Sequence, residues 1–196
     1  MILPIVAYGD PVLKKKAKEI TKEYPKFSEL LENMFETMYN AQGVGLAAPQ
    51  IGLPIRLFIV DASPFADDEE LTEEESKVLE DFKKVFINAE IIEETGDEWG
   101  FTEGCLSIPD VREDVFRNET IKIKYLDENF KEHTEVYDGL AARVIQHEYD
   151  HIEGVLFTDK LSSLKKRLIK GKLSNISKGK ITPDYKMRFP LAKKAR

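Results

Sequence analysis

Several residue types that often fix the structure of a small protein are scarce in this chain. Its 196 residues include one cysteine, three histidines and one tryptophan. A single cysteine excludes an internal disulfide framework. No apolar stretch approaches the ~20 residues of a membrane-spanning helix, no repeat is visible, and the N-terminus lacks a signal-peptide pattern. We therefore predict one globular, cytoplasmic protein that makes no contact with a membrane.

Two of the three histidines belong to one motif. Residues 146–151 read Q-H-E-Y-D-H, which contains the pattern H-E-x-x-H. His147 and His151 are four residues apart and lie on one face of a helix, so both imidazoles can bind one divalent metal ion. Glu148 can then accept a proton from a water molecule bound to that ion. The motif predicts a hydrolytic metal site.

An open catalytic site needs a third protein ligand. Phe157 occupies the position where one metallopeptidase class has a third histidine. Among the downstream carboxylates, Glu153 and Asp159 are too close in sequence to come from a separate helix, and Asp184 lies in a basic tail. Cys105 is the strongest candidate, because a thiolate and two imidazoles suit a borderline-soft ion. The alternative for a free cysteine is a small buried apolar residue.

Two further motifs complete a family pattern. Residues 43–50 read G-V-G-L-A-A-P-Q and residues 103–107 read E-G-C-L-S. Together with Q-H-E-Y-D-H, and in this order, they resemble the three signature motifs of the peptide deformylases. The opening Y-G-D-P-V-L of residues 8–13 is also similar, so that the resemblance spans roughly residues 1–170. It implies removal of the formyl group from the N-terminal formyl-methionine of nascent polypeptides, with release of formate.

The resemblance also implies site residues and a cofactor. It implies one divalent ion per chain, Fe(II) first, with Zn(II) or Ni(II) as alternatives. The implied roles are metal binding by Cys105, His147 and His151, general base and acid for Glu148, oxyanion binding by Gln50 and the backbone N–H of Leu106, and peptide alignment by Gly45. For the methionine pocket the candidates are Val44, Phe101, Glu103, Gly104, Leu140 and Val144. Ordinary core packing is the alternative for Leu140 and Val144.

Four other residues have open interpretations. Arg143, four residues before the first ligand, either pairs with a carboxylate or, by default, is an exposed surface arginine. Asp150 either orients the site or pairs with an arginine such as Arg117. Arg112 follows the cysteine motif and could contact the peptide. His133, outside every motif, is interpreted as a surface histidine.

The net charge of −7 is distributed unevenly. From residue 160 to the end, thirteen Lys and Arg stand against one acidic residue, a net +12, which leaves −19 for the rest. A basic tail suggests contact with a polyanion, for which ribosomal RNA is the natural candidate, while a solvated surface is the alternative. An acidic insertion covers residues 62–84, and its segment 67–84 holds nine acidic and three basic residues. A tolerated surface insertion is its plainest interpretation.

Periodicity predicts the secondary structure. The predictions are helices at 25–41, 139–153 and 162–170, strands at 55–60, 85–88, 119–126 and 131–137, a short helix near Leu79, an N-cap at Asp138, a helix stop at Gly154 and irregular structure beyond Gly171. These elements favour an α+β fold. The resemblance sharpens this to antiparallel β-sheets around a central helix with the H-E-x-x-H motif, followed by a C-terminal helix. We predict a catalytic domain at 1–171 and a basic extension at 172–196.

Two other functions are possible from the residues alone. A metallopeptidase that cleaves internal peptide bonds is disfavoured, because no third histidine or separate downstream glutamate is present. A ribosome-binding module with a structural metal would need a closed site of four ligands. The chain has no second cysteine for such a site, and Glu148 favours chemistry over structure.

Overall fold

The computed structural model describes residues 1–192. In chain order the elements are β1 (Ile5–Val6), α1 (Phe27–Asn40), β2 (Gly45–Ala47), β3 (Leu57–Asp61), α2 (Glu73–Glu80), β4 (Lys83–Cys105), β5 (Ile108–Leu126), β6 (Glu132–Asp138), α3 (Gly139–Ile152), α4 (Ser163–Ser177) and β7 (Met187–Arg188). None of the helices in this part of the chain is long and apolar enough to cross a membrane.

A five-stranded antiparallel sheet is the frame of the molecule. Its strand order is β2-β3-β4-β5-β6, so each strand pairs with its neighbour in the sequence. The long strands β4 and β5 form a hairpin that closes at Cys105 and Ile108, with irregularities of register along its length. A second sheet pairs β1 with β7 and is parallel. The mixed helix and antiparallel sheet, with a C-terminal helix, confirms the predicted fold class.

Helix α3 is buried along most of its length. Ala142, Ile145 and Ile152 are fully buried and belong to a core cluster with the sheet residues Phe58 and Phe86. This packing fixes the helix against the sheet, and Glu148 and His151 of the H-E-x-x-H motif are buried as well. The predicted stop is confirmed: Gly154 has φ +76°, and a Cβ there would lie 2.8 Å from the carbonyl oxygen of Lys14.

The structure confirms several predicted elements and corrects others. Helix α1 and the hairpin of β5 and β6 occur where periodicity predicted them. Asp138 is the N-cap of α3, but its side chain makes no capping hydrogen bond. The predicted strand 85–88 is only the start of β4, which continues to Cys105. Most of this continuation alternates little in polarity because it is exposed, so the pattern carried no strand signal.

The prediction of irregular structure beyond Gly171 is wrong. Helix α4 continues to Ser177, and Ile169, Leu173 and Ile176 repeat at helical spacing and are buried in one apolar cluster. This tertiary packing outweighs the helix-breaking tendency of Gly171, which costs about 1 kcal/mol. The helix therefore crosses the position where we predicted the end of the catalytic domain.

Core packing makes a first prediction. Phe86 is fully buried, with ring centroids 4.7 Å from Phe58 and 4.4 Å from Tyr125. Phe86→Ala should lower the free energy of unfolding by about 3–5 kcal/mol, because it leaves a cavity between these rings. The control is Phe116→Ala, at a side chain that is 64% exposed, for which about 0.5 kcal/mol is expected. Urea denaturation measures both, and equal losses would contradict the assignment of Phe86 to the core.

Candidate metal centre

Three candidate ligands converge on one point. His147 and His151 lie one turn apart on α3, with ring centroids 5.1 Å apart. Cys105 is the last residue of β4, where the hairpin brings it against the helix. One ligand atom from each of these three residues lies within 4.8 Å of the other two. The structure therefore brings together candidate ligands that the sequence motifs placed up to 46 residues apart.

The geometry and the donor chemistry fit a metal ion. The sulfur of Cys105 is 3.4 Å from Nε2 of His151, while Nδ1 of His151 is buried with no hydrogen-bond partner within residues 1–192. Burial lowers the pKa of His151, so that its imidazole is neutral, as a metal ligand must be. A thiolate with two imidazoles suits Zn(II), Fe(II) and similar ions.

Glu103 holds the first histidine in place. Its carboxylate accepts a hydrogen bond from Nδ1 of His147 at 2.9 Å, which leaves Nε2 for the metal. The same carboxylate receives two hydrogen bonds from Arg117, at 2.7 and 3.0 Å, and one from Arg143 at 3.1 Å. Burial alone would raise the pKa of Glu103, but the hydrogen bonds from His147 and Arg117 hold it well below its usual value. Glu103 is therefore a permanent anion behind the ligand.

The glutamate of the motif differs from Glu103 in its surroundings. Glu148 is 4% exposed, and its Oε2 has no hydrogen-bond partner among the described residues. Burial raises the pKa of Glu148 to about 7. A Cβ at position 45 would overlap the Glu148 carboxyl group, so only glycine fits there. This carboxyl group is poised to take and return a proton near neutral pH.

Gln50 presents a donor to the same centre. Its Oε1 accepts the backbone N–H of Ala47 at 2.9 Å, and this contact orients the amide. The Nε2 group then points inward, 3.5 Å from the sulfur of Cys105 and 3.4 Å from Oγ of Ser107. The neighbouring turn is tied down by Tyr185, whose hydroxyl donates to the carbonyl of Leu106 at 2.7 Å.

The centre opens into a cleft of about 890 Å³. Of the predicted pocket residues, this cleft is lined by Val44, Phe101, Glu103, Gly104 and Val144. It is also lined by Gly45 and Leu106, to which the resemblance assigned peptide alignment and oxyanion binding. Leu140 does not line it; it lines a second cleft that shares Phe101 with the first. Arg112 borders the catalytic cleft, as does Tyr185, which the sequence analysis missed because it lies 79 residues from its partner Leu106.

The structure shows the partners of three residues whose interpretation the sequence left open. Arg143 is 2% exposed, so the expectation of a surface arginine is wrong. Its buried charge is stabilised by a hydrogen bond to Glu103 and by the Trp99 ring, whose centroid lies 4.4 Å from the guanidinium carbon. Asp150 pairs with Arg117 at 2.7 Å, as the second alternative stated. His133 bonds to Asp127 at 2.7 Å, away from the metal centre.

The fold and the site together define a class of protein: a metal-dependent hydrolase with a central H-E-x-x-H helix. The family model for polypeptide deformylase matches residues 2–167. A peptide deformylase of Christiangramia forsetii is 76% identical over the whole of both chains. Another, from Cytophaga hutchinsonii, is 58% identical over 98% of this chain and 100% of its own.

Solved structures agree with the sequence relatives. A crystal structure of a peptide deformylase from Legionella pneumophila, 37% identical, covers 92% of this chain and 98% of its own with a TM-score of 0.77. One from Thermotoga maritima is 38% identical and covers 83% of this chain and 99% of its own, with a TM-score of 0.70. The chain belongs to the polypeptide deformylase family, whose members remove N-terminal formyl groups from nascent polypeptides.

The Glu103 network makes a second prediction. Glu103→Gln should weaken Zn(II) binding by about 10- to 100-fold, because Nδ1 of His147 loses its anionic acceptor. It should also lower the free energy of unfolding by about 3–5 kcal/mol, because buried Arg143 loses its carboxylate partner and buried Arg117 keeps only Asp150. Competition with a chelator and urea denaturation measure the two effects.

A matched control lies on the same strand. Glu98→Gln removes an equal charge from an exposed position of β4 and should change neither quantity. If Zn(II) affinity in the Glu103 variant matched that of this control, Glu103 would have no part in positioning His147.

Proposed function

We propose that Cys105, His147 and His151 hold one divalent ion and that Glu148 is the general base and acid for hydrolysis of formyl-methionyl peptides. The observation that carries this proposal is the convergence of three donors beside a buried carboxyl group whose Oε2 has no partner among residues 1–192. When bound, the ion supplies Lewis acidity, which acidifies water and polarises a carbonyl group.

The proton follows a short path through Glu148. Its buried carboxyl group accepts a proton from the attacking water and later delivers it to the nitrogen of the leaving methionine. A pKa of about 7 suits both steps, because the group must bind and release the proton at neutral pH. Formate leaves, and the peptide keeps a free amino group.

Negative charge that develops on the formyl oxygen needs donors fixed in advance. Nε2 of Gln50 is held toward the centre by the bond from Ala47 to Oε1. We assign the second donor to the backbone N–H of Leu106, and peptide alignment to the backbone of Gly45. Such a donor contributes about 3–4 kcal/mol to lowering the barrier.

The methionine side chain is assigned to the apolar part of the catalytic cleft. Val44, Phe101 and Val144 line this part, with Glu103 and Gly104 beside the ligands. An apolar lining stabilises an unbranched thioether side chain by removing its surface from water. Leu140, proposed for the same pocket, lines the second cleft together with Phe101.

We assign Fe(II) as the native ion, with Zn(II) and Ni(II) as substitutes that the same donors accept. One thiolate among the ligands suits each of these ions. Metal analysis of protein purified without air and without added metal tests the assignment, and zinc in place of iron would overturn it. The enzyme is assigned to the cytoplasm, where a reduced thiol persists and formylated nascent chains are made.

The third prediction concerns Glu148. Glu148→Ala should lower kcat for formate release from formyl-Met-Ala-Ser by about 10²- to 10⁴-fold, because the proton carrier is lost. The ion should stay bound, because its three ligands are intact. Formate assays with metal-loaded protein, and metal analysis of the same samples, check both points.

Two controls make this experiment decisive. Exposed Glu98→Gln should leave kcat unchanged. Acetyl-Met-Ala-Ser and unblocked Met-Ala-Ser should not be cleaved, because a deformylase requires the small formyl group. Cleavage of internal peptide bonds would instead favour the metallopeptidase, and full activity of Glu148→Ala would exclude its proton role.

We further propose that the basic C-terminal region contacts the ribosome. Helix α4 and the segment after it carry five exposed cations close together in the sequence: Lys166, Arg167, Lys170, Lys178 and Lys180. Clustered cations of this kind bind a phosphate backbone by releasing its counterions. The proposed domain division at residue 171 falls within α4. It leaves every proposed ligand and catalytic residue in 1–171, while Tyr185 of the extension 172–196 borders the cleft.

The fourth prediction tests this contact. Lys178→Gln with Lys180→Gln should reduce co-sedimentation with ribosomes at low salt, since each cation neutralises about one phosphate. The control pair is Lys22→Gln with Lys131→Gln, at exposed positions outside the C-terminal region. Equal loss in both pairs, or no loss in either, would contradict a specific role for residues 172–196.

A further inference from the structure

A second cleft, with a volume of about 740 Å³, lies beside the catalytic cleft, and Phe101 borders both. One wall consists of α2 and the loop before it, which belong to the acidic insertion. The opposite wall consists of parts of β4, β5 and β6 and the start of α3. We call this cleft the acidic groove. The mechanism proposed above makes no use of it.

The floor of the acidic groove is apolar and accessible. Val78 and Val136 face it from opposite walls and are 62% and 63% exposed. Leu71, Trp99 and Leu140 line it and are partly exposed. Apolar surface from two separate parts of the chain therefore meets in one concave area. Such an area gains free energy when a partner removes it from water.

The rim of the groove carries charge of one sign. Its carboxylates are Asp68, Glu70, Glu74, Glu75, Glu119 and Asp138, and among residues 1–192 no Lys, Arg or His lines the groove. Throughout residues 1–192, none of these six takes part in an ion pair. Low-dielectric walls between like charges concentrate their field, so the groove attracts cations.

The wall that the insertion contributes is attached to the rest of the fold. Leu79 is 4% exposed and packs in the main core cluster. Ser76 donates to the carbonyl of Ala66 at 2.7 Å, and the Phe82 ring meets Tyr137 edge-on at 5.4 Å. Helix α2 also begins with a capping box between Thr72 and Glu75. The groove is thus formed before any partner arrives, which reduces the entropic cost of binding.

We propose that the acidic groove binds a cationic polypeptide segment with apolar side chains between its charges, namely the downstream part of the formylated substrate. Lysine or arginine would pair with the rim, and the intervening side chains would cover the floor. Phe101 borders both this groove and the cleft assigned to the N-terminal methionine, so the two lie side by side and an extended chain that leaves one can reach the other. The identity of the occupant rests on the proposed function, whereas the binding chemistry does not.

Trp99 provides a direct test of binding. It is the only tryptophan of the chain, and it lines the acidic groove and not the catalytic cleft. An acetylated peptide of alternating Lys and Leu, which cannot be deformylated, should change the Trp99 fluorescence on titration. A peptide of alternating Glu and Leu should not.

A matched pair of triple variants tests the rim. Glu70→Gln, Glu74→Gln and Glu119→Gln together should weaken binding of the Lys and Leu peptide about fivefold, the combined effect of three exposed ion pairs. The control has Glu19→Gln, Glu32→Gln and Glu128→Gln, exposed positions that line neither cleft. If the Glu70, Glu74 and Glu119 variant bound the Lys and Leu peptide as tightly as the wild type, the rim would have no role and the proposal would be overturned. Equal weakening in both triple variants would also overturn it, because it would show bulk electrostatic attraction.

Kinetics then test the occupant. The substrates are formyl-Met-Ala-Ser alone, the same peptide extended by Lys and Leu, and the same peptide extended by Ser and Gly. The triple variant of Glu70, Glu74 and Glu119 should have a KM about fivefold higher than the wild type for the basic substrate only, without a change in kcat. An unchanged KM despite weakened fluorescence binding would overturn the nascent chain as occupant. No formate from any substrate with wild-type protein would overturn the proposed function, while the fluorescence result would still decide on the groove.

Discussion

The candidate metal centre depends on the hydrogen bonds of one buried carboxylate, that of Glu103. It joins a histidine of α3 to arginines from β5 and α3, all at 2.7–3.1 Å. A buried charge is stable only when it is paired and hydrogen-bonded, so these elements must come together in one arrangement. The arrangement places Cys105, two residues further along β4, against the helix that carries the other ligands.

The same network explains how a core helix can carry so many polar residues. Arg143, Gln146, Glu148 and His151 are all buried in α3, where unpaired polar groups cost several kcal/mol. One buried polar atom of each residue has no hydrogen-bond partner within the described part of the chain: Nε of Arg143, Oε1 of Gln146, Oε2 of Glu148 and Nδ1 of His151. Of these atoms, Oε2 of Glu148 lies at the candidate site, where a local cost is tolerated because it leaves the carboxyl group free for chemistry.

Much of the fold and the site followed from local pattern. Spacing alone placed His147 and His151 on one helix face, because helix geometry repeats every 3.6 residues. Alternation identified the hairpin of β5 and β6, where one face is buried. Pattern failed for the exposed outer part of β4 and for the end of α4. In the first case pairing with β5 imposes the strand, and in the second case packing of Leu173 and Ile176 extends the helix.

The sequence by itself determined the family and predicted the three candidate ligands and the glutamate, because each lies in a short motif whose spacing carries its chemistry. Only the tertiary structure decided that Arg143 is buried, that Glu103 binds His147, and that Tyr185 secures the turn at Leu106. Only the folded chain, too, made the acidic insertion one wall of a groove. Such relations join residues that are distant in sequence, and the burial and pairing of charge are set by the whole fold.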